Sequence, residues 1–174
     1  GAGGSGPALG RGGTAVYGDE PANWSAVGPN PGVHQVATFT YADWATLHGL
    51  GAGPEAARLA DFERDGVLNL LEFALDGDPK AIDPQQLPTT DVLMVDVGGQ
   101  IDDYLALTYR RRRDAPNLVY TVEVSGDLVT WQTTTLQVGG PVDNGDGTDS
   151  ITMRDTEPIG SALHRFIRLA VSDL

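Results

Sequence analysis

Residues 61–72 read Asp61-Phe62-Glu63-Arg64-Asp65-Gly66-Val67-Leu68-Asn69-Leu70-Leu71-Glu72. Side chains carrying oxygen fall at the first, third, fifth, ninth and twelfth places: Asp61, Glu63, Asp65, Asn69 and Glu72. A tightly curled loop turns alternate residues toward one point, and the seventh, Val67, adds its backbone carbonyl. Such a set suits a hard cation. Ca2+ takes six to eight oxygens at about 2.3–2.6 Å. Gly66, at the sixth place, permits a turn that a Cβ would hinder. Glu72, on the first turn of an exit helix, can bind through both oxygens. Glu63 stands where Asp or Asn is preferred, so its extra methylene is expected to weaken the site or route binding through water. Asp76 and Asp78 lie close enough in sequence to add ligands or field.

This is the EF-hand spacing, and an acidic turn ahead of a capped helix rarely meets six constrained positions at once. Competing sites are weaker. His34, His48 and His164 are far apart and share no metal-ligand spacing. No Gly-x-Ser-x-Gly elbow and no His-Glu-x-x-His appears, so an enzyme is not expected. The glycine-rich stretch 1–13 follows no strand and reads as a linker, not a phosphate loop. Arg110–Arg113 reads as the solvated end of a strand, with an acidic partner or sugar acid as the alternative. Trp131 is expected in a core, the alternative being a platform for a sugar ring. Residues 143–149 fit a hairpin turn or a second, looser calcium loop. Asn23-Trp24-Ser25 has the pattern of a glycosylation site.

The elements that must hold the loop follow from periodicity. Residues 1–37 read as an extended strap with one short strand near Ala15 and a turn over Gly28–Gly32; Trp24 is expected to anchor it. Residues 38–89 read as a helical calcium segment. Thr40 is the expected N-cap, with Asp43 completing a capping box, and Trp44, Leu47 and His48 share one helical face. A second short helix is expected over Glu55–Leu59. A third begins near Leu68, with Leu68, Leu71 and Leu75 at helical spacing. Residues 90–174 carry six period-two runs: Leu93/Val95/Val97, Leu105/Leu107/Tyr109, Leu118/Tyr120/Val122/Val124, Leu136/Val138, Ile151/Met153 and Ile167/Leu169/Val171. Polar turns separate them. The expected fold is therefore mainly β: an antiparallel β-sandwich with a small EF-hand-like helical segment on its N-terminal side.

Composition bounds the function classes. Among 174 residues, 24 carboxylates against 11 lysines and arginines give a net charge of −13, which argues against nucleic-acid partners. No apolar run approaches the roughly 20 residues of a membrane span, so no membrane insertion is expected. There is no cysteine, hence no disulfide framework and no thiolate site. The chain opens without Met or a signal peptide and reads as a processed product or part of a longer chain.

Three groups of residues carry a family resemblance: Tyr41-Ala42-Asp43-Trp44, the stretch from Ala60 to Leu75, and Gly77-Asp78-Pro79. They resemble the calcium-loop segment near the C-terminus of large secreted proteins of Verrucomicrobia and related bacteria, which is similar to thrombospondin type 3 and dockerin-like loops. The strands at Leu105–Arg111, Tyr120–Ser125 and Arg165–Leu169, with Asp127-Leu128 and Trp131, are similar to the β module of the same proteins. The segment with Asn23-Trp24 and Pro29-Asn30-Pro31-Gly32 resembles the end of bacterial lamin-tail-like domains. The resemblance implies an extracellular or cell-surface protein that binds Ca2+, and as partners the other domains of a longer precursor or copies of itself. The expected function is a non-catalytic, calcium-stabilised structural module. The alternatives are a subunit of a self-assembling filament or surface layer built by β-strand exchange, and a carbohydrate-binding module.

Overall fold

The computed structural model describes residues 38–174, together with the backbone of two short strands before them. Those strands, β1 (Ala8–Arg11) and β2 (Trp24–Val27), form an antiparallel hairpin with Ala8 opposite Val27 and Arg11 opposite Trp24. They lie in a stretch that the sequence presents as linker and strap. The strand expected near Ala15, the turn at Gly28–Gly32, His34 and the packing of Trp24 lie outside the described residues. Residues 1–36 form a unit of their own, and residues 37–174 form the other.

The larger unit begins with α1 (Tyr41–Leu47). The Asp43 N–H donates to Thr40 Oγ1, and the Asp43 carboxylate accepts the Thr40 N–H, so the capping box closes as the sequence implies. The buried face is Tyr41, Trp44 and Ala45, whereas Leu47 is exposed. Residues 54–56 make only a 3₁₀ turn, because Pro54 and the glycines around it leave too few residues for a helix. The second helix, α2 (Asn69–Leu75), starts one residue after Leu68 and ends at Asp76, which adopts φ 65°. That start rotates the buried face onto Leu70, Phe73, Ala74 and Leu75, and leaves Leu68 exposed. No helix among the described residues is long and apolar enough to cross a membrane.

Seven strands follow: β3 (Thr89–Val97), β4 (Gln100–Arg112), β5 (Leu118–Ser125), β6 (Thr135–Gln137), β7 (Val142–Asp143), β8 (Thr148–Pro158) and β9 (Phe166–Asp173). One antiparallel sheet has the order β3-β4-β8-β6, with β7 also on β8, and a second pairs β5 with β9. Among the described residues the chain is mainly strand, with two short α-helices, and its curled antiparallel sheets make a sandwich-like, mainly-β fold. Each of the six period-two runs lies in or beside one of these strands. The two-residue β7 is too short to show a period.

Two apolar clusters hold the unit together. Tyr41, Trp44, Leu70, Phe73 and Leu118 form one, and Leu75, Leu107, Tyr109, Val122 and Ile151 form the other. Tyr120 packs against both. Its hydroxyl donates to the Ala74 carbonyl at 2.7 Å and accepts the Arg112 N–H at 3.2 Å. Burial pushes that hydroxyl's pKa up to about 12, so it stays a donor. Residues 38–89 and 90–174, distinct in their periodicity, thus share one core.

Candidate metal centre

The loop ahead of α2 is shaped by its own carboxylates. Asp61 accepts the Asp65 N–H through Oδ1 at 3.1 Å and the Gly66 N–H through Oδ2 at 2.9 Å. Asp65 Oδ1 accepts the Val67 N–H at 2.8 Å. These bonds curl the backbone around Asp61, and Gly66, at φ 96°, takes the left-handed conformation that the curl requires. The result gathers ligand oxygens of Asp61, Glu63 and Asp65 within 4.8 Å of one another.

Glu72 approaches this group of three from α2, through Glu63. It is only 3% exposed, and Glu63 is the acid that acts on it most strongly. Among the described residues, none donates a hydrogen bond to the four carboxylate oxygens of Glu63 and Glu72, although all four are shielded from water. Burial, then the Glu63 carboxyl group, then the charges of Asp65 and Asp83, push the Glu72 pKa up to about 9. The basic side chains nearby in sequence do not relieve this. Lys80 Nζ donates to the Gly49 carbonyl at 3.2 Å and lies over the Phe62 ring, and Arg64 is exposed. Buried carboxylates without donors are costly in a folded protein unless a cation meets them. The donor set is all oxygen, which fits Ca2+ and not a thiolate- or imidazole-preferring metal.

The six residues of the sequence pattern do not all serve alike. Asp61, Glu63 and Asp65 come together, and Glu72 joins them through Glu63. Val67 borders the site by its backbone, where its N–H orders Asp65. Asn69 is fully buried, but its Nδ2 donates to the Glu55 and Ala57 carbonyls at 2.8 and 3.0 Å, and its backbone N–H donates to the Ala60 carbonyl. Its amide nitrogen therefore fastens the chain that enters the loop, and its Oδ1 has no partner.

The flanking acids also divide unexpectedly. Asp76 pairs with Arg112 at 2.9 Å and Arg110 at 3.7 Å, and Asp78 pairs with His48 at 3.3 Å. Asp83 is the outer acid that acts on Glu72, and its Oδ2 accepts the Asp78 N–H at 3.0 Å. Gly77 makes room for this arrangement: a Cβ there would lie 3.3 Å from Glu72 Cβ and 3.5 Å from Asp83 Oδ2. Asp83 stands outside the loop pattern, so no spacing rule points to it.

The other candidate sites are occupied by internal pairs. Arg110 meets Asp146 at 2.6 Å, Arg111 meets Asp149 at 3.0 Å, and Arg113 meets Asp143 at 2.9 Å. The carboxylates of residues 143–149 are thus committed to Arg110, Arg111 and Arg113, and this loop is the hairpin joining β7 to β8. Trp131 is not a core residue. It is half-buried, with the Arg168 guanidinium carbon 3.9 Å from its ring centroid. His164 rests beside Phe166. Compared with family models, curated proteins and solved structures, the chain matches none.

Proposed function

We propose that this chain is a non-catalytic, calcium-binding structural module of a secreted or cell-surface bacterial protein, joined to other domains of a longer precursor. Ca2+ would be held by the carboxylates of Asp61, Glu63, Asp65 and Glu72 with the Val67 carbonyl, and Asp83 adds negative field from outside the loop. The observation that carries this reading is the buried Glu63–Glu72 pair without a donor. A divalent cation supplies the charge that those oxygens lack. Bound there, it would tie the loop to α2, and α2 is already fastened to the sandwich by Tyr120 and Arg112.

An extracellular location suits a module of this kind. Extracellular calcium modules bind at about 10⁻⁴–10⁻³ M, so such a site fills outside a cell and empties inside one. Folding would then tighten on export. Thermal melts with calcium and with chelator test the reading. At about a hundred times Kd, calcium should add about 2.7 kcal/mol and raise the melting temperature by roughly 10 °C. Identical melts would leave residues 61–72 as an acidic helix lead-in. The two alternative functions have less support: the strand near Ala15 that suggests filament formation lies outside the described residues, and one face of the Trp131 ring is taken by Arg168.

A further inference from the structure

The sandwich is uneven, and its larger sheet runs past its cover. Leu107 and Tyr109 of β4 pack against Val122, Ile167 and Leu169 of the two-stranded sheet. Side chains two apart on a strand share a face, and directly paired residues share it too. On the Leu107 side, β4 therefore continues through Leu105 and Asp103 to Ile101. The register puts Val92 opposite Leu105, Met94 opposite Asp103, and Asp96 opposite Ile101. Val92, Met94 and Ile101 are 49%, 74% and 62% exposed. The inner face of the sandwich thus ends in an apolar overhang.

Among the described residues, the strand bordering the overhang is also an open edge. β3 ends the strand order of its sheet, and over nine residues it carries no proline and no lysine, the usual guards of such an edge. The Val92 N–H donates to Asp91 Oδ1, so it points away from β4. Antiparallel alternation then turns the N–H groups of Thr90, Met94 and Asp96 outward as well.

Charge indicates what would fit. Asp91, Asp96, Asp102 and Asp103 surround this edge, and none belongs to an ion pair among the described residues. Five aspartates at the other end of β4 are, by contrast, paired with Arg110–Arg113: Asp76, Asp114, Asp143, Asp146 and Asp149. A second copy of the chain would bring the same four unpaired carboxylates to the junction and is disfavoured. We propose that the outer edge of β3, with the uncovered Val92–Met94–Ile101 face beside it, takes up an extended segment of another protein or domain in which apolar residues alternate with lysine or arginine. Backbone pairing to β3 would extend the sheet, apolar side chains would cover Met94 and Val92, and the basic ones, on the opposite face, would meet Asp91 and Asp102.

The test uses the full chain and two short peptides, one alternating lysine with valine and one alternating glutamate with valine. Fluorescence anisotropy measures binding, and amide exchange reports protection in β3. The lysine peptide should bind and protect the Met94 amide, and the glutamate peptide should not bind. Met94→Pro removes an outward N–H without touching the β4 ladder, and should weaken binding about tenfold. The Asp91→Asn, Asp102→Asn double variant, which leaves the backbone intact, should weaken it to a similar degree. Equal binding of both peptides, lysine-peptide binding unaffected by Met94→Pro, absence of binding by the lysine peptide, or a chain that dimerises through β3 would overturn the proposal.

Discussion

Glu63 and Glu72 come together beneath the loop without a hydrogen-bond donor to either carboxylate. Two buried acids in this arrangement repel when both are ionised. The metal-free fold answers by retaining a proton, and a bound divalent cation would answer by neutralising both.

This fixes the sign of a pH dependence. The Glu72 pKa rises from an ordinary 4.5 to about 9 in the metal-free fold. Between those values the folded chain holds a proton that the unfolded chain has released, so stability falls as pH rises. In chelator, the melting temperature should be higher near pH 5.5 than near pH 8, and saturating calcium should remove that slope. Calorimetry in buffers of different ionisation enthalpy should show about one proton released per ion bound near pH 7. Glu72→Gln should flatten the slope in chelator.

Asn69 separates a ligand from a fastener. Its Nδ2 bonds to the Glu55 and Ala57 carbonyls are lost in Asn69→Asp, which also buries a charge. The variant should lose about 2–4 kcal/mol in chelator, read from denaturant melts. If Asn69 were chiefly a ligand, the added charge would instead strengthen calcium binding with little cost to the metal-free fold.

Tyr120 joins the helical segment to the sandwich. Tyr120→Phe leaves the Ala74 carbonyl without its donor and should cost about 1–3 kcal/mol, with a melting decrease of about 5–10 °C. The loss should be the same with calcium and with chelator, because the hydroxyl lies outside the cation site.

Much of the architecture is legible in the sequence because half-buried strands show a period of two, as at Leu118/Tyr120/Val122/Val124. The capping box of Thr40 and Asp43 is equally local. The loop pattern also identifies the acids that gather, since Gly66 and the alternate spacing encode the curl directly. Direction and partnership are less visible. One residue of shift at the start of α2 exchanges Leu68 for Leu70 on the buried face. Asn69 satisfies a ligand position by type, yet its amide nitrogen turns to carbonyls that precede the loop. Asp83 acts on Glu72 from outside the loop spacing, beside Gly77. The Arg110–Arg113 run looks like a surface for an acidic partner until the register of β4 with β8 brings Asp143, Asp146 and Asp149 beside it.

Those arginine pairs make a prediction about stoichiometry. Since Asp143, Asp146 and Asp149 already have cations, residues 143–149 should bind no ion. Asp146→Asn should leave the number of calcium ions bound unchanged, as read by equilibrium dialysis, and should lower stability by up to about 1 kcal/mol, since Arg110 keeps only its longer pair with Asp76.

Calcium titration by calorimetry, comparing the natural chain with Glu72→Gln, tests the central claim most directly. The account predicts one ion per chain, with a Kd of about 10⁻⁴–10⁻³ M or tighter, and a loss of about tenfold or more in the variant. Absence of binding heat in the natural chain at millimolar calcium, or an unchanged isotherm in Glu72→Gln, would contradict it.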